Sequence, residues 1–369
     1  MKKSYLMIAA AAALFAACSS NDAFKEIDTQ DAVIGFGYSA SEKPTRAELT
    51  MTWFRTLDNG FGVYGFKDDA AIFTNENVVC SDATSPYAWS HSTIRFWDKG
   101  ASDAYDFYAY APFAGTSNSA TGANPTFSKQ TGFTFTGLPV IADITSAGAD
   151  KAIANAVENI DYTDGRLHDT HANSPTVQFV FNHILSKLSF KVKTDIPAHD
   201  AASNATASFT VTAIDIDFPS ASAVQWAETY SDAVAGTTTY TSYVAKDGTF
   251  ETQVFSGSQA VNSTATAIGN TYIVTPVNGS QKKHEFDVKV TYNVLYADGT
   301  TETGCEATGT IGTGNPDASN PADQNVYAPG QNQYYIAVIN IHPEEIQFCV
   351  ENVEAWDPNG QDLDDIDVK

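Results

Sequence analysis

The sequence predicts an all-β protein made of β-sandwich domains, and three observations predict it. Gly and Thr are abundant and aromatic residues reach 12% of the 369 positions, a composition suited to strands and tight turns. Short runs in which apolar residues recur at every second position follow one another along the chain, the pattern of half-buried strands. Turn chemistry separates these runs, as at Asp58-Asn59-Gly60, Asn278-Gly279 and Asp298-Gly299.

In the first half, strands are expected over Ala32 to Tyr38, Leu49 to Arg55, Gly62 to Phe66, Ser92 to Trp97, Tyr105 to Tyr110 and Phe133 to Thr136. In the fifth, Tyr105, Phe107 and Ala109 share one face, Asp106, Tyr108 and Tyr110 the other, and Pro112 ends the run. Lys151 to Asn159 is expected to be a short helix, with Ile153, Val157 and Ile160 at helical spacing.

Val177 to Val192, VQFVFNHILSKLSFKV, is the stretch around which the rest is organised. Val177, Phe179 and Phe181 alternate on one parity, and Leu188, Phe190 and Val192 on the other. A slip of one residue would turn every apolar side chain to water, so Asn182 to Lys187 must hold a bulge, bend or turn that restores the facing. The whole reads as one long bent strand, with His183 hydrogen-bonded inside the bend. Thr194 to Asn204 is polar, carries Pro197 and lacks periodicity, which places a domain boundary there. Beyond it, Phe209 and Val211, then Ile214 and Ile216 past Thr212, open a second sandwich. Tyr272 to Val277, Phe286 to Tyr296, Tyr334 to Ile341 and Ile346 to Trp356 continue it, and Asn315 to Gln331 reads as a loop too polar to pack.

The chain starts with a secretion signal. Lys2 and Lys3 form a basic n-region, and the Ala-rich run behind them is too short for a stable membrane span. Phe15-Ala16-Ala17-Cys18 followed by a polar SSND resembles the lipobox of bacterial lipoproteins, with Leu14 one place early; the alternative is an ordinary signal with a chance cysteine. This resemblance implies removal of residues 1–17 and acylation of Cys18, with several chains giving a stable anchor where one would not.

Lys and Arg total 20 against 44 Asp and Glu, a net charge of −24. That argues against nucleic acid and anionic lipid surfaces as partners. Cys80, Cys305 and Cys349 are the cysteines after the anchor, and three cannot all pair internally. Cys305 and Cys349 both fall on apparent strands of the second half and could form a disulfide. There is no G-x-S-x-G elbow, no H-E-x-x-H, no phosphate loop and no C-x-x-C, so nothing indicates catalysis, a metal or a cofactor. His284-Glu285 lacks a second histidine. Asp357 to Asp365 crowds carboxylates, but its glycine falls too early for an EF-hand, and a solvated acidic tail is the plainer reading.

Several stretches, in order, resemble the fimbrillins, the subunits of type V pili. They are the lipoprotein start; Lys43-Pro44-Thr45-Arg46-Ala47; Phe61 to Phe66; Trp89; Phe96-Trp97 followed by Tyr105 to Pro112; Phe181 to Leu188; Tyr272 to Pro276; and Ile346 to Trp356. The resemblance implies two transthyretin-like β-sandwich domains in tandem, at residues 47–195 and 205–356, after a lipidated segment 18–46 and before an acidic tail 357–369. It also implies export to the outer membrane, exposure at the cell surface, and assembly with other fimbrial subunits by strand donation, without enzymatic activity. Ala32 to Tyr38 is then the removable strand, and the bond between Arg46 and Ala47 the site of a trypsin-like processing protease. The tail is a poor strand to bury in another subunit, which suits a tip, accessory or anchoring subunit better than a stalk. The competing expectation is a surface lipoprotein that captures a glycan or host ligand through exposed aromatics such as Tyr87, Trp89 and Trp226.

Overall fold

The structure, a computed structural model, describes residues 33–38, 54, 56, 60–84, 88–97, 104–114, 124–146, 149–159, 176–196, 207–230, 234–277, 283–313, 327–341 and 346–353. The expected strand at Leu49 to Arg55 lies outside them apart from Phe54.

Among the described residues the elements are twenty-one β-strands. The first half holds β1 (Gly35–Tyr38), β2 (Gly60–Lys67), β3 (Ala70–Asp82), β4 (Ala88–Ser90), β5 (Ala104–Ala111), β6 (Thr126–Ser128), β7 (Gly132–Thr136), β8 (Ile141–Asp143) and β9 (Ala152–Asn159). The midpoint holds β10 (Thr176–Phe179), β11 (Asn182–His183) and β12 (Ser186–Lys193). The remainder holds β13 (Ala207–Asp217), β14 (Ala223–Tyr230), β15 (Val234–Thr241), β16 (Thr252–Ala260), β17 (Thr266–Val274), β18 (Phe286–Tyr296), β19 (Thr301–Ile311), β20 (Tyr334–Ile341) and β21 (Ile346–Val353).

They form five sheets, in the orders β1-β10, β11-β9-β5-β2-β3-β4, β21-β20-β12-β17-β8, β16-β13-β18-β19 and β15-β14-β7-β6. Three apolar cores lie between them. The first is a sandwich core in which Leu188, Phe190 and Val192 of β12 meet Val211, Ile214 and Ile216 of β13 and Val288 and Val290 of β18. The second packs Tyr105, Phe107 and Ala109 of β5 against Ile34, Phe36, Val177 and Phe179. The third gathers Tyr110, Phe133, Phe135, Ile153, Ile184, Leu185, Trp226 and Ile273, from both halves of the chain. Pairing also crosses residues 194–204: β7 pairs with β14 and β8 with β17.

The phase flip at the midpoint has a physical cause different from the one expected. Residues 176–193 are not one bent strand but three short ones, each in a different sheet. Val177 and Phe179 enter the second core, a bend at Ile184 and Leu185 fills the third, and Leu188, Phe190 and Val192 enter the first. His183 also reaches across the bend, where its Nδ1 lies 2.8 Å from Asp150 Oδ2.

The expected helix is strand β9, which pairs antiparallel with β5 from Ala104↔Asn159 to Ala111↔Ala152. Ile153 and Val157 are four residues apart, a spacing that falls on one face of a helix and of a strand alike. So short a helix is marginal alone, whereas the edge of β5 offers a full ladder. The loop expected at Asn315 to Gln331 does pack at its C-terminal end. Tyr327 is fully buried, its carbonyl accepts the His284 N–H at 2.8 Å, and Pro329 O accepts Val277 N–H at 2.9 Å.

Glycine governs how closely the strands approach. Gly62 pairs with Tyr110, and a Cβ on Gly62 would lie 2.1 Å from the Tyr110 ring. Tyr110 is buried and donates to Asn75 Oδ1 at 2.6 Å, so the ring cannot simply swing aside. Gly236 admits the buried Trp226 indole in the same way.

Just ahead of β18, His284 is fully buried among Phe218, Tyr240, Tyr243 and Tyr327. Its Nε2 lies 3.3 Å from the Tyr240 hydroxyl and its Nδ1 3.1 Å from that of Tyr243, which ties the β15 region to β18. Burial pushes the imidazole pKa down from 6.5 to about 4, against a weaker upward effect of a hydrogen bond with the Thr275 backbone.

Two outcomes are expected. Gly62→Val should destabilise the fold by about 1–3 kcal/mol through overpacking against Tyr110, read as a lower denaturation midpoint. For His284 the folded pKa is below the unfolded one, so the unfolded state binds more protons between pH 6.5 and 4. Its contribution is complete above pH 6.5 and falls by about 3 kcal/mol as the pH drops to 4. Denaturation midpoints for wild type and His284→Phe measured across that window should converge towards pH 4; parallel curves would refute the assignment.

Candidate functional site

The region that stands apart from the sheets is β1 and the groove that it fills. Its sequence, Ile34-Gly35-Phe36-Gly37, alternates large apolar and minimal side chains. Ile34 is fully buried and Phe36 is 3% exposed, so the expected apolar face of Ala32 to Tyr38 is seen in its central pair. β1 pairs in parallel with β10, from Gly35↔Thr176 to Tyr38↔Phe179, and this pair is a sheet of its own.

The other side of β1 is bounded by residues 91–97. The Ile34 N–H donates to Arg95 O at 2.8 Å, and Val33 forms a single antiparallel bridge with Phe96. Four rings surround Phe36: Phe73 at 5.0 Å, His91 at 5.2 Å, Phe107 at 5.6 Å and Phe179 at 6.0 Å between centroids. Burying two such side chains stabilises by roughly 3–6 kcal/mol. The groove is therefore aromatic and matched to an alternating strand.

Residues 92–97 were expected to be a strand and are not one; Phe96 alone makes a bridge. The reason is Glu76. Its Oε1 accepts from Ser92 N–H (2.6 Å), Ser92 Oγ (2.8 Å) and Thr93 N–H (2.9 Å), and its Oε2 from Thr93 Oγ1 (2.5 Å). The amides that a ladder would use are taken by a carboxylate. Burial alone would raise the Glu76 pKa, but the bonds from Thr93 and Ser92 outweigh it and hold the group below its ordinary 4.5.

Glu76 faces inward because of a bulge. Val63 pairs with Glu76 but Gly65 with Phe73, so two residues of β3 oppose one of β2. Asn75 takes φ +51 there, a left-handed conformation that Asn tolerates, and the bulge moves the buried face of β3 from Phe73 to Glu76, Val78 and Cys80. Sequence reasoning passed over Glu76. The signal that would have found it is the odd spacing of five between Phe73 and Val78, the same kind of parity break that Thr212 makes in β13, where the ladder also shifts.

The other residues singled out from sequence are dispersed. Cys18, Arg46, Ala47, Tyr87 and the tail at 357–369 lie outside the described residues. Arg46 follows β1 by eight positions. Cys305 is half-buried on β19 with a free thiol, and the side chain of Cys349 lies outside the described residues. Trp226 is no exposed ligand platform but a fully buried core residue, 6.0 Å from Phe135, and Trp89 is half-buried against Phe61 at 5.4 Å. Among the described residues no group of three or more His, Cys, Asp or Glu could hold a metal ion.

Comparison with known proteins bears on this arrangement. No curated protein matches the chain. Among solved structures it is similar to a fimbrial protein from Bacteroides vulgatus, with 17% identity, 88% of this chain and 99% of that one covered, and a TM-score of 0.43. It is also similar to a fimbrial assembly protein from Parabacteroides distasonis (12% identity, 87% and 93% covered, TM-score 0.37). A third is the tip fimbrial protein Mfa3 from Porphyromonas gingivalis with C-terminal truncation (10% identity, 83% and 96% covered, TM-score 0.32). At scores below 0.5 these likenesses carry no detail, and kinship rests on the sequence model of the fimbrillin-like family, which matches residues 45–348. With most of its length inside that match, the chain belongs to the fimbrillin-like family.

Proposed function

We propose that this chain is a structural, non-catalytic subunit of a cell-surface fimbria, delivered to the outer membrane as a lipoprotein acylated at Cys18 and assembled by strand exchange after cleavage between Arg46 and Ala47. Membership of the fimbrillin-like family supports the subunit role. One observation carries the exchange step: β1 belongs to none of the larger sheets, fills an aromatic groove with Ile34 and Phe36, and precedes Arg46 in the chain. The family match begins at residue 45, so β1 lies ahead of the shared region.

The logic is that of an edge left open. Cutting after Arg46 detaches both the acyl anchor and β1, and loss of β1 exposes apolar rings together with the unpaired backbone of β10. A strand from a neighbouring subunit then restores both the ladder and the burial. Because β1 is held by several kcal/mol, its release and its replacement must be coupled. The glycan-capture reading loses one of its three aromatics in the burial of Trp226, and Trp89 is half-buried.

The deciding measurement is N-terminal sequencing of material sheared from cells, in wild type and Arg46→Ala. A mature chain beginning at Ala47, with Arg46→Ala monomeric and membrane-bound, is expected; sheared polymers whose subunits still begin at acylated Cys18 would refute the mechanism. Phe36→Ala should lower the stability of the uncut chain by about 3–5 kcal/mol, measured by denaturation, and leave the cut polymer unchanged. An equal loss in both would mean that β1 stays.

A further inference from the structure

The wall formed by residues 91–97 raises a question that strand exchange by itself does not answer: what holds it when it has no ladder. His91 packs on Phe73 and the buried Trp97 on Tyr105 and Phe107, and to this packing are added specific polar attachments to β3. Ser92 and Thr93 supply all four donors to the Glu76 carboxylate, and Arg95 Nε donates to Ile72 O at 3.1 Å. The same wall presents Arg95 O to Ile34 and the His91 ring to Phe36, with His91 Nδ1 2.9 Å from Thr93 O. β1 therefore leans on a wall whose polar ties to β3 converge on one carboxylate side chain, that of the buried Glu76.

Apolar packing alone would bind such a segment loosely in direction. Charge-assisted bonds to two adjacent residues fix both its position and its orientation, and a buried carboxylate that loses them carries a full desolvation cost. The bulge at Asn75, held by the Tyr110 hydroxyl, aims that carboxylate. The contacts that define the β1 groove come from Phe73, His91, Arg95, Phe107 and Phe179.

We propose that Glu76 is the positioning residue of a clasp, residues 91–97, which retains β1 in the uncut chain and keeps the groove wall in shape for the strand that replaces it. The second role rests on the strand-exchange reading; the first does not. Glu76 is an anchor rather than a contact, so its removal loosens β1 at a distance.

Hydrogen–deuterium exchange on the intact, uncut chain tests this. In Glu76→Ala, amides of 91–97 and of 33–38 should exchange at least tenfold faster than in wild type, while those of β13 and β18 keep their wild-type rates. Glu76→Gln retains an oxygen for the three Oε1 donors, and its amide can donate to the Thr93 hydroxyl, so it should restore most of the protection. Thr93→Val, which deletes one bond only, should give a smaller acceleration confined to the same two segments, and it serves where the alanine variant does not fold. Unchanged exchange at 33–38 in these variants would overturn the proposal, and so would uniform acceleration through β13 and β18. Because the sample is uncut, the result does not depend on cleavage at Arg46, and failure of the clasp is distinguishable from failure of exchange.

Discussion

One stretch of eighteen residues, 176–193, has to satisfy three apolar cores at once, and the architecture follows from that constraint. A strand can present one face to one core. To serve three, the chain must leave one sheet, bend at Ile184 and Leu185, and enter another with its parity reversed. β12 then lies between β17 and β20, antiparallel to the first and parallel to the second, where Leu188, Phe190 and Val192 close the largest core. The third core, reached by the bend, draws Phe133 and Ile153 from one half and Trp226 and Ile273 from the other. A loss of packing at the bend would be felt in both halves.

Parity breaks of this kind serve as tools elsewhere in the molecule. In β13 the shift between Val211 and Ala213 keeps Phe209, Val211, Ile214 and Ile216 in the same core although their spacing changes. In β3 the break at Asn75 has a different result, since it turns a carboxylate inward among Phe73, Val78 and Cys80. A buried charge needs partners, and it finds them in Ser92 and Thr93, whose amides are thereby withdrawn from sheet formation. The cost of one bulge thus shapes a segment sixteen residues away.

The groove around β1 joins these two features. Its floor is β5 and β10, the latter belonging to the pivotal stretch, and its wall is the segment tied to Glu76. The rings of Phe73, His91, Phe107 and Phe179 line it around Phe36. β1 pairs with β10 alone in a sheet of its own, apart from the larger sheets of the fold.

Alternation is a local property, which is why the sequence by itself determined the all-β class, β2, β5, β7, β13, β18 and β20, the parity breaks at Thr212 and the midpoint, and the apolar face of Ile34 and Phe36. The motif order also determined the family. What only the tertiary structure decided were the matters that depend on partners distant in sequence. Ile153 and Val157 suit a helix or a strand equally, and the open edge of β5 chose the strand. Trp226 has the composition of a ligand platform, and the absent Cβ of Gly236 made it core. Glu76 is marked locally only by the spacing of five between Phe73 and Val78; its role arises from the bulge that aims it and from two donors on another segment. A side chain whose function is to hold something else can be recognised only when that something is in place.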